Sequence, residues 1–278
     1  MNRNATGWTL FRRQLFCVCL LLVGLIDITG CASKSGGSGA GARGTEMVTD
    51  SDEPELRRRA RIRLELAIGY FELGQTKDAL DELKQSIAVD PNYAEAYSLR
   101  GLIYMRLNDF RFAEESFRKA ISMSPQDANV MQNLGWLLCQ QAKYPEAQQL
   151  FSQALANPQY GERAKTLRTQ GLCQVRAGLI AEAELSLLKS YEFDAGNPVT
   201  AYNLATLLFQ RGDFVRAQFY VRRLNNTELA NAESLWLGVK VERRMENRDA
   251  MQQLAAQLVK RFPQSREAAA FQRGAFDE

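Results

Sequence analysis

The chain repeats itself with a period of about 34 residues, and this period constrains its fold more than any other feature. Alanines recur after intervals of 34, 34, 36, 34 and 33 residues. Most are followed four positions later by a bulky apolar residue, and each is preceded twelve positions earlier by a small one. A fixed period of this length indicates stacked copies of one supersecondary unit. The recurring alanines are Ala79, Ala113, Ala147, Ala183, Ala217 and Ala250.

The second copy of this unit is the clearest. Its bulky, small and aromatic positions are in register, and a proline closes it. These residues are Tyr97, Gly101, Tyr104, Ala113, Phe117, Ala120 and Pro125. The pattern resembles the tetratricopeptide repeat, in which small residues let two antiparallel helices cross closely and Pro stops the second helix. The resemblance implies an all-α, right-handed superhelical solenoid of six tetratricopeptide helix-turn-helix repeats with a C-terminal capping helix.

Repeat boundaries follow from this register. We predict a tetratricopeptide repeat domain over residues 56–278, with repeats at 60–93, 94–127, 128–161, 164–197, 198–230 and 231–264. An insertion around Pro158–Gly161 divides the array into three and three, and the sixth repeat is the most degenerate. A closing helix is predicted at 265–276, because the end of a solenoid needs a cap.

The first thirty residues predict a lipoprotein signal peptide. Arg12 and Arg13 precede an apolar run at 15–26, which is too short to span a bilayer, since that needs about 20 residues. The next residues, 28–31, read Ile-Thr-Gly-Cys and resemble the bacterial lipobox, which implies cleavage before Cys31 and acylation of Cys31, with palmitate as the expected acyl chain. A buried N-terminal helix is the alternative, but a Gly- and Ser-rich stretch follows at once. We therefore interpret residues 31–55 as the acylated cysteine and a flexible tether.

Ala32 follows the cysteine in the place where Asp would have resembled an inner-membrane retention signal. The expected location is therefore the periplasmic face of the outer membrane of a Gram-negative bacterium, held there by lipid.

Composition excludes several kinds of chemistry. The chain has no histidine, which removes Ser-His-Asp nucleophiles and His-ligated zinc. A formal net charge of +3 is too small to indicate a nucleic-acid partner. The spacing Gly39-x-Gly41-x-x-Gly44 matches the dinucleotide fingerprint only formally, because no strand precedes it. No P-loop, metal-ligand spacing or nucleophile elbow is present, so we predict no enzyme activity, no cofactor, no metal and no small-molecule substrate.

Two cysteines, Cys139 and Cys173, belong to the expected folded part. An oxidising compartment would permit them to pair. Both lie within apolar helical patterns, so we expect two unpaired cysteines that pack as small apolar side chains.

Positions five, nine and twelve of each repeat are predicted to face the concave surface, where solenoids bind their partners. An amphipathic or extended peptide could lay apolar side chains into such a surface. The alternative is that these side chains only pack against the neighbouring repeat. The predicted partner-binding groove comprises Leu64, Ile68, Phe71, Leu102, Met105, Trp136, Cys139, Leu172 and Val175.

The run from Arg57 to Arg63 is the densest basic cluster. A solvated helix face, neutralised by nearby carboxylates, explains it most simply. Contact with anionic lipid or cell wall is the alternative.

Two segments resemble the pilotins, a family of lipoproteins that act in type IV pilus biogenesis. These segments are residues 67–75 (AIGYFELGQ) and 133–139 (NLGWLLC). The resemblance implies that the partner is the pilus secretin subunit, which the protein would deliver to the outer membrane and assemble into multimers, with twitching motility depending on this. The runner-up is a periplasmic scaffold for peptidoglycan enzymes or for outer-membrane protein insertion.

Overall fold

The computed structural model describes residues 53–277. The predicted signal peptide, Cys31 and the predicted tether up to residue 52 lie outside the described residues. Within residues 53–277, every regular element is an α-helix, and there are thirteen. They are α1 Glu55–Glu72, α2 Thr76–Val89, α3 Ala94–Arg106, α4 Phe110–Met123, α5 Ala128–Gln140, α6 Tyr144–Ala156, α7 Arg163–Arg176, α8 Ile180–Phe193, α9 Pro198–Gln210, α10 Phe214–Asn225, α11 Ala232–Arg244, α12 Arg248–Arg261 and α13 Arg266–Arg273.

The first twelve helices form six hairpins, and α13 packs against both helices of the last one. The second, third and fourth hairpins each bury a bulky side chain of the second helix against a glycine of the first. Phe117, Phe151 and Leu187 have no exposed surface, and each faces a glycine of the preceding helix. The all-α tetratricopeptide solenoid predicted from the period is therefore confirmed.

A left-handed residue occupies the middle of the three-residue turn in every hairpin. Asn and especially Gly adopt this conformation at low cost, whereas other residues are strained in it. Four of the six turns follow that rule, and the turns at Ala142 and Glu246 do not. The six residues are Gly74, Asn108, Ala142, Gly178, Gly212 and Glu246.

A disulfide joins the third and fourth repeats across the insertion between them. Cys139 of α5 and Cys173 of α7 are bonded, with their Cα atoms 5.8 Å apart. The expectation of two unpaired cysteines is therefore wrong. Both side chains are buried, as expected, but the two extra residues of the insertion place position twelve of one repeat opposite position ten of the next.

The insertion itself is anchored in the core. Tyr160 is buried, and its hydroxyl lies 2.8 Å from the hydroxyl of Thr166 at the start of α7. Burial raises the pKa of Tyr160, and the hydrogen bond with Thr166 opposes this only in part. Because Tyr160 packs with Ala154 of α6 and Met131 of α5, the insertion does not interrupt the stack.

The basic run on α1 is largely neutralised within the protein. Arg57 pairs with Asp90, Arg61 with Glu53 and Glu65, and Arg63 with Glu82. Arg58 pairs with Glu55. Two of these carboxylates lie just upstream of the run or at its start, as the sequence suggests, and the others come from α1, α2 and the loop after α2. The arrangement favours the solvated-face interpretation over lipid or cell-wall contact.

Candidate protein-binding surface

The odd-numbered helices form the inner layer of the solenoid. Helix α1 contacts α3, α3 contacts α5, α5 contacts α7, α9 contacts α11, and α11 contacts α13. In a curved stack of hairpins, the layer whose helices approach each other most closely lies on the concave side. The side chains of the odd-numbered helices that point away from their hairpin partners therefore line the concave surface, which we call the inner surface.

At its N-terminal end, the inner surface carries Ile68 and Phe71 of α1. Ile68 is 39% exposed, and Phe71 is half-buried against the apolar core of the first two repeats. The guanidinium of Arg106, from α3, lies 5.2 Å from the centre of the Phe71 ring and donates a hydrogen bond of 3.0 Å to the Phe71 carbonyl oxygen. Leu64 is only 6% exposed and packs within the core, so it does not line an accessible surface.

In the middle of the array, Leu102, Met105 and Trp136 are half-buried and pack on the core of the second and third repeats. Leu102 also packs against the apolar core that the first repeat shares with the second, so it joins these two repeats. The guanidinium of Arg176, from α7, lies 4.8 Å from the centre of the Trp136 rings. These three side chains therefore serve packing and still offer part of their surface.

Cys139 and the two predicted residues of the fourth repeat have different surroundings. Cys139 is only 2% exposed and is bonded to Cys173, so the prediction that it lines the groove is wrong. Its side chain lies in the core. Leu172 is half-buried, and Val175 is 37% exposed. The predicted groove is therefore discontinuous. Its accessible surface belongs mainly to Ile68, Phe71, Trp136 and Val175.

A further concavity of the inner surface lies farther along, where the predicted concave positions of the fifth repeat, Tyr202, Thr206 and Phe209, meet residues of α11 and α13 that the sequence did not single out. A cavity of about 220 Å³ is formed by α9, α11 and the start of α13. Its walls include Tyr202, Phe209, Trp236, Lys240 and Glu267. A tryptophan and a lysine four residues apart on an inner helix are a usable signal, but the sixth repeat is too degenerate for its register to make that signal clear.

Electrostatics in this cavity reflect burial among rings. Burial lowers the pKa of Lys240, and the negative charge of Asp277 opposes this only in part. Its ammonium group lies 5.6 Å from the Trp236 rings and 6.0 Å from the Phe209 ring. Burial, with the charge of Glu233, raises the pKa of Tyr202. The cavity therefore combines aromatic walls with a cation, which suits contact with a peptide.

The described residues show neither of two other kinds of site. Residues 53–277 contain no cluster of His, Cys, Asp and Glu side chains suited to a metal ion. Among the same residues, no helix has the length and hydropathy needed to cross a membrane.

Tetratricopeptide repeat profiles match the chain at residues 70–108, 92–159 and 133–198. A helical solenoid with this periodicity and these matches is a tetratricopeptide repeat protein. Among proteins compared by sequence, the type IV pilus assembly protein PilF of Pseudomonas aeruginosa is 29% identical over 255 residues, which cover 92% of this chain and 96% of PilF.

Two solved structures are also similar. One is the crystal structure of PilW, described as a widely conserved type IV pilus biogenesis factor, with a TM-score of 0.70 and 29% identity over 76% of this chain and 97% of PilW. The other is Pseudomonas aeruginosa PilF, with a TM-score of 0.71 and 27% identity over 80% of this chain and all of that one. The chain is thus a PilF/PilW-like tetratricopeptide repeat protein.

Proposed function

We propose that the protein acts in type IV pilus biogenesis, as an outer-membrane lipoprotein of the pilotin type. It binds secretin subunits through its inner surface and promotes their delivery to the outer membrane and their assembly into multimers. The observation that carries this proposal is the similarity to PilF, which extends over nearly the whole of both chains and includes the inner helices.

In this proposal the inner surface binds the partner and the acylated Cys31 attaches the protein to the membrane. The inner surface supplies partly exposed apolar side chains, of which Phe71 and Trp136 are the largest in the first three repeats. Large aromatic side chains commonly anchor protein interfaces. Acyl chains on Cys31 would supply membrane attachment, because a nearly neutral protein has little electrostatic attraction to a bilayer.

The proposal is tested by separating capture from localisation. Cys31→Ala should leave secretin binding intact and leave the secretin multimer misplaced when membranes are fractionated. Phe71→Ala with Trp136→Ala should weaken secretin capture by at least tenfold. Because both rings help to pack the repeats, Ile68→Ser with Val175→Ser is a second variant that changes more exposed positions. Val215→Ser, at a 68% exposed apolar position on the outer helix α10, is the matched control.

Partner identification decides the proposal as a whole. Secretin subunits should be recovered with the full chain from detergent-solubilised envelopes, and pilus-dependent twitching should be lost without the protein. Recovery of peptidoglycan hydrolases or of barrel-assembly proteins in their place would contradict it. Secretin capture unchanged by both inner-surface double variants would contradict the binding surface alone.

A further inference from the structure

Arginines recur at the thirteenth position of every second repeat, and each lies over an aromatic ring. They are Arg106, Arg176 and Arg243 in the second, fourth and sixth repeats. Their guanidinium carbons lie 5.2, 4.8 and 3.9 Å from the ring centres of Phe71, Trp136 and Phe276 respectively. The same position in the other repeats holds Glu72, Gln140 and Gln210. We call the three ring-and-arginine pairs stations one, two and three.

The arginines of stations one and two lack the carboxylate partners that several outer-helix arginines have. Arg118, Arg216 and Arg222 are each paired with a carboxylate. Neither Arg106 nor Arg176 forms an ion pair with any Asp or Glu among residues 53–277. A cation over a ring, next to apolar surface and without a counter-ion, favours an incoming carboxylate.

Station three differs from the other two, because the ring under its arginine belongs to the chain's own C-terminal segment, which lies on the inner helix α11. The Phe276 ring stacks on Trp236 of α11, with centroids 5.3 Å apart, and Arg243 covers it. The next residue, Asp277, lies 3.7 Å from Arg244 and is close enough to oppose the burial effect on Lys240. The aromatic side chain of Phe276 therefore lies between an inner-helix ring and Arg243, and the exposed carboxylate that follows it lies near the neighbouring Arg244.

From these observations we infer that stations one and two bind a partner segment in which aromatic or large apolar side chains are each followed by a carboxylate. The apolar side chain lies against Phe71 or Trp136, and the carboxylate pairs with Arg106 or Arg176. The residues Phe276 and Asp277 are the chain's own segment of this kind. This inference rests on the proposed function only in identifying the natural source of the segment as the secretin subunit.

The probe is a fluorescein-labelled peptide with three Phe-Asp pairs separated by glycines, compared with the same peptide carrying Phe-Asn. Binding to the full chain in detergent is followed by fluorescence anisotropy at low and at high salt. We expect the Phe-Asp peptide to bind at least tenfold more tightly than the Phe-Asn peptide at low salt. High salt should remove most of that difference, since screening weakens exposed charge pairs.

Variants assign the effect to the two arginines. Arg106→Gln with Arg176→Gln should reduce Phe-Asp binding to the Phe-Asn level, and the corresponding double Lys variant should restore part of it. The matched control is Arg111→Gln, because Arg111 also covers a ring, that of Phe112 at 4.1 Å, but stands on the outer helix α4. Arg106 also donates a hydrogen bond to the Phe71 carbonyl oxygen, and the double Lys variant keeps a donor at that position. Thermal unfolding of every variant shows whether a loss of binding is a loss of folding.

Equal binding of the two peptides, or undiminished Phe-Asp binding by the folded Gln variant, would overturn the inference. A measurement of secretin binding distinguishes a failure of this inference from a failure of the proposed function. If secretin binds the wild-type chain and the Gln variant equally, the inference is wrong and the proposed function stands. If the Phe-Asp peptide binds as expected and secretin does not bind at all, the inference stands and the proposed partner is wrong.

Discussion

The ring of Phe117 lies so close to Gly101 that a Cβ atom on this glycine would stand 2.5 Å from a ring carbon. The two residues are sixteen positions apart, on the facing helices α3 and α4, and Phe117 has no exposed surface. Gly135 with Phe151 and Gly171 with Leu187 repeat the relationship at 2.8 Å. The absence of a side chain at this position is what lets these three hairpins close.

Gly101→Ala should therefore destabilise the protein by overpacking, which costs about 1–3 kcal/mol in a well-packed core. Gly69→Ala is the matched control, because Gly69 is also in an inner helix and a Cβ there would meet nothing within 4 Å. Both substitutions gain the same helix propensity, about 1 kcal/mol. Their difference in free energy of unfolding, measured with urea, isolates the clash, and equal stabilities would contradict this account.

This packing relationship could be predicted from sequence because both partners lie within one repeat and recur with it. The disulfide could not. Its partners belong to different repeats and, because of the two-residue insertion, occupy different repeat positions, twelve for Cys139 and ten for Cys173. Leu64 and Cys139 show a related limit: their position in the repeat predicts the face of the helix, but not how far the next repeat covers that face.

The C-terminal end of the inner surface escaped prediction for a different reason. Trp236 has no aromatic equivalent at the same position of the other repeats. Its importance comes from Phe271 and Phe276, which reach it from the closing helix and from the segment after it. No periodic pattern contains that information, since the contacts occur only once in the array.

The left-handed turns predict a stabilising substitution. Ala142 has a φ of 59°, a conformation that costs a residue with a side chain about 1–2 kcal/mol. Ala142→Gly should raise the free energy of unfolding by about 0.5–1 kcal/mol, after allowing for the greater flexibility of glycine in the unfolded chain. Gly178→Ala, in the equivalent turn with a φ of 76°, should lower it by a similar amount or more. Chemical denaturation of the two variants checks both signs, and the same sign for both would refute the explanation.

The disulfide should contribute to stability by restricting the unfolded chain. It closes a loop with a sequence separation of 34 residues, for which loop entropy gives about 2–4 kcal/mol. Adding a reductant should therefore lower the unfolding midpoint of the wild-type protein. Cys139→Ala with Cys173→Ala should have a low midpoint with or without reductant, which makes it the control. If the reductant moved both midpoints equally, the disulfide would not be the cause.

Glu114 of α4 joins the second and third repeats, since it pairs with Arg118 of its own helix and with Lys143 in the turn of the third hairpin, just before α6. Burial raises the pKa of this carboxyl, but the hydrogen bonds from Lys143 and Arg118 outweigh burial and hold the pKa below its ordinary value of 4.5. A carboxyl whose pKa is lowered by folding stabilises the native state while it is ionised. That contribution is fully present above the unfolded-state pKa and is lost as the pH falls through the native one.

Glu114→Gln should therefore be less stable than the wild type at pH 7, and the difference should shrink as the pH falls below 4.5. Urea unfolding of the two proteins between neutral and strongly acidic pH measures it. Glu115→Gln is the matched control, because Glu115 is the adjacent exposed carboxylate and forms no ion pair with the described residues. Its stability should follow the wild type at every pH. A Glu114→Gln difference that stayed constant across the acidic range would show that the lost contact does not depend on the charge of Glu114.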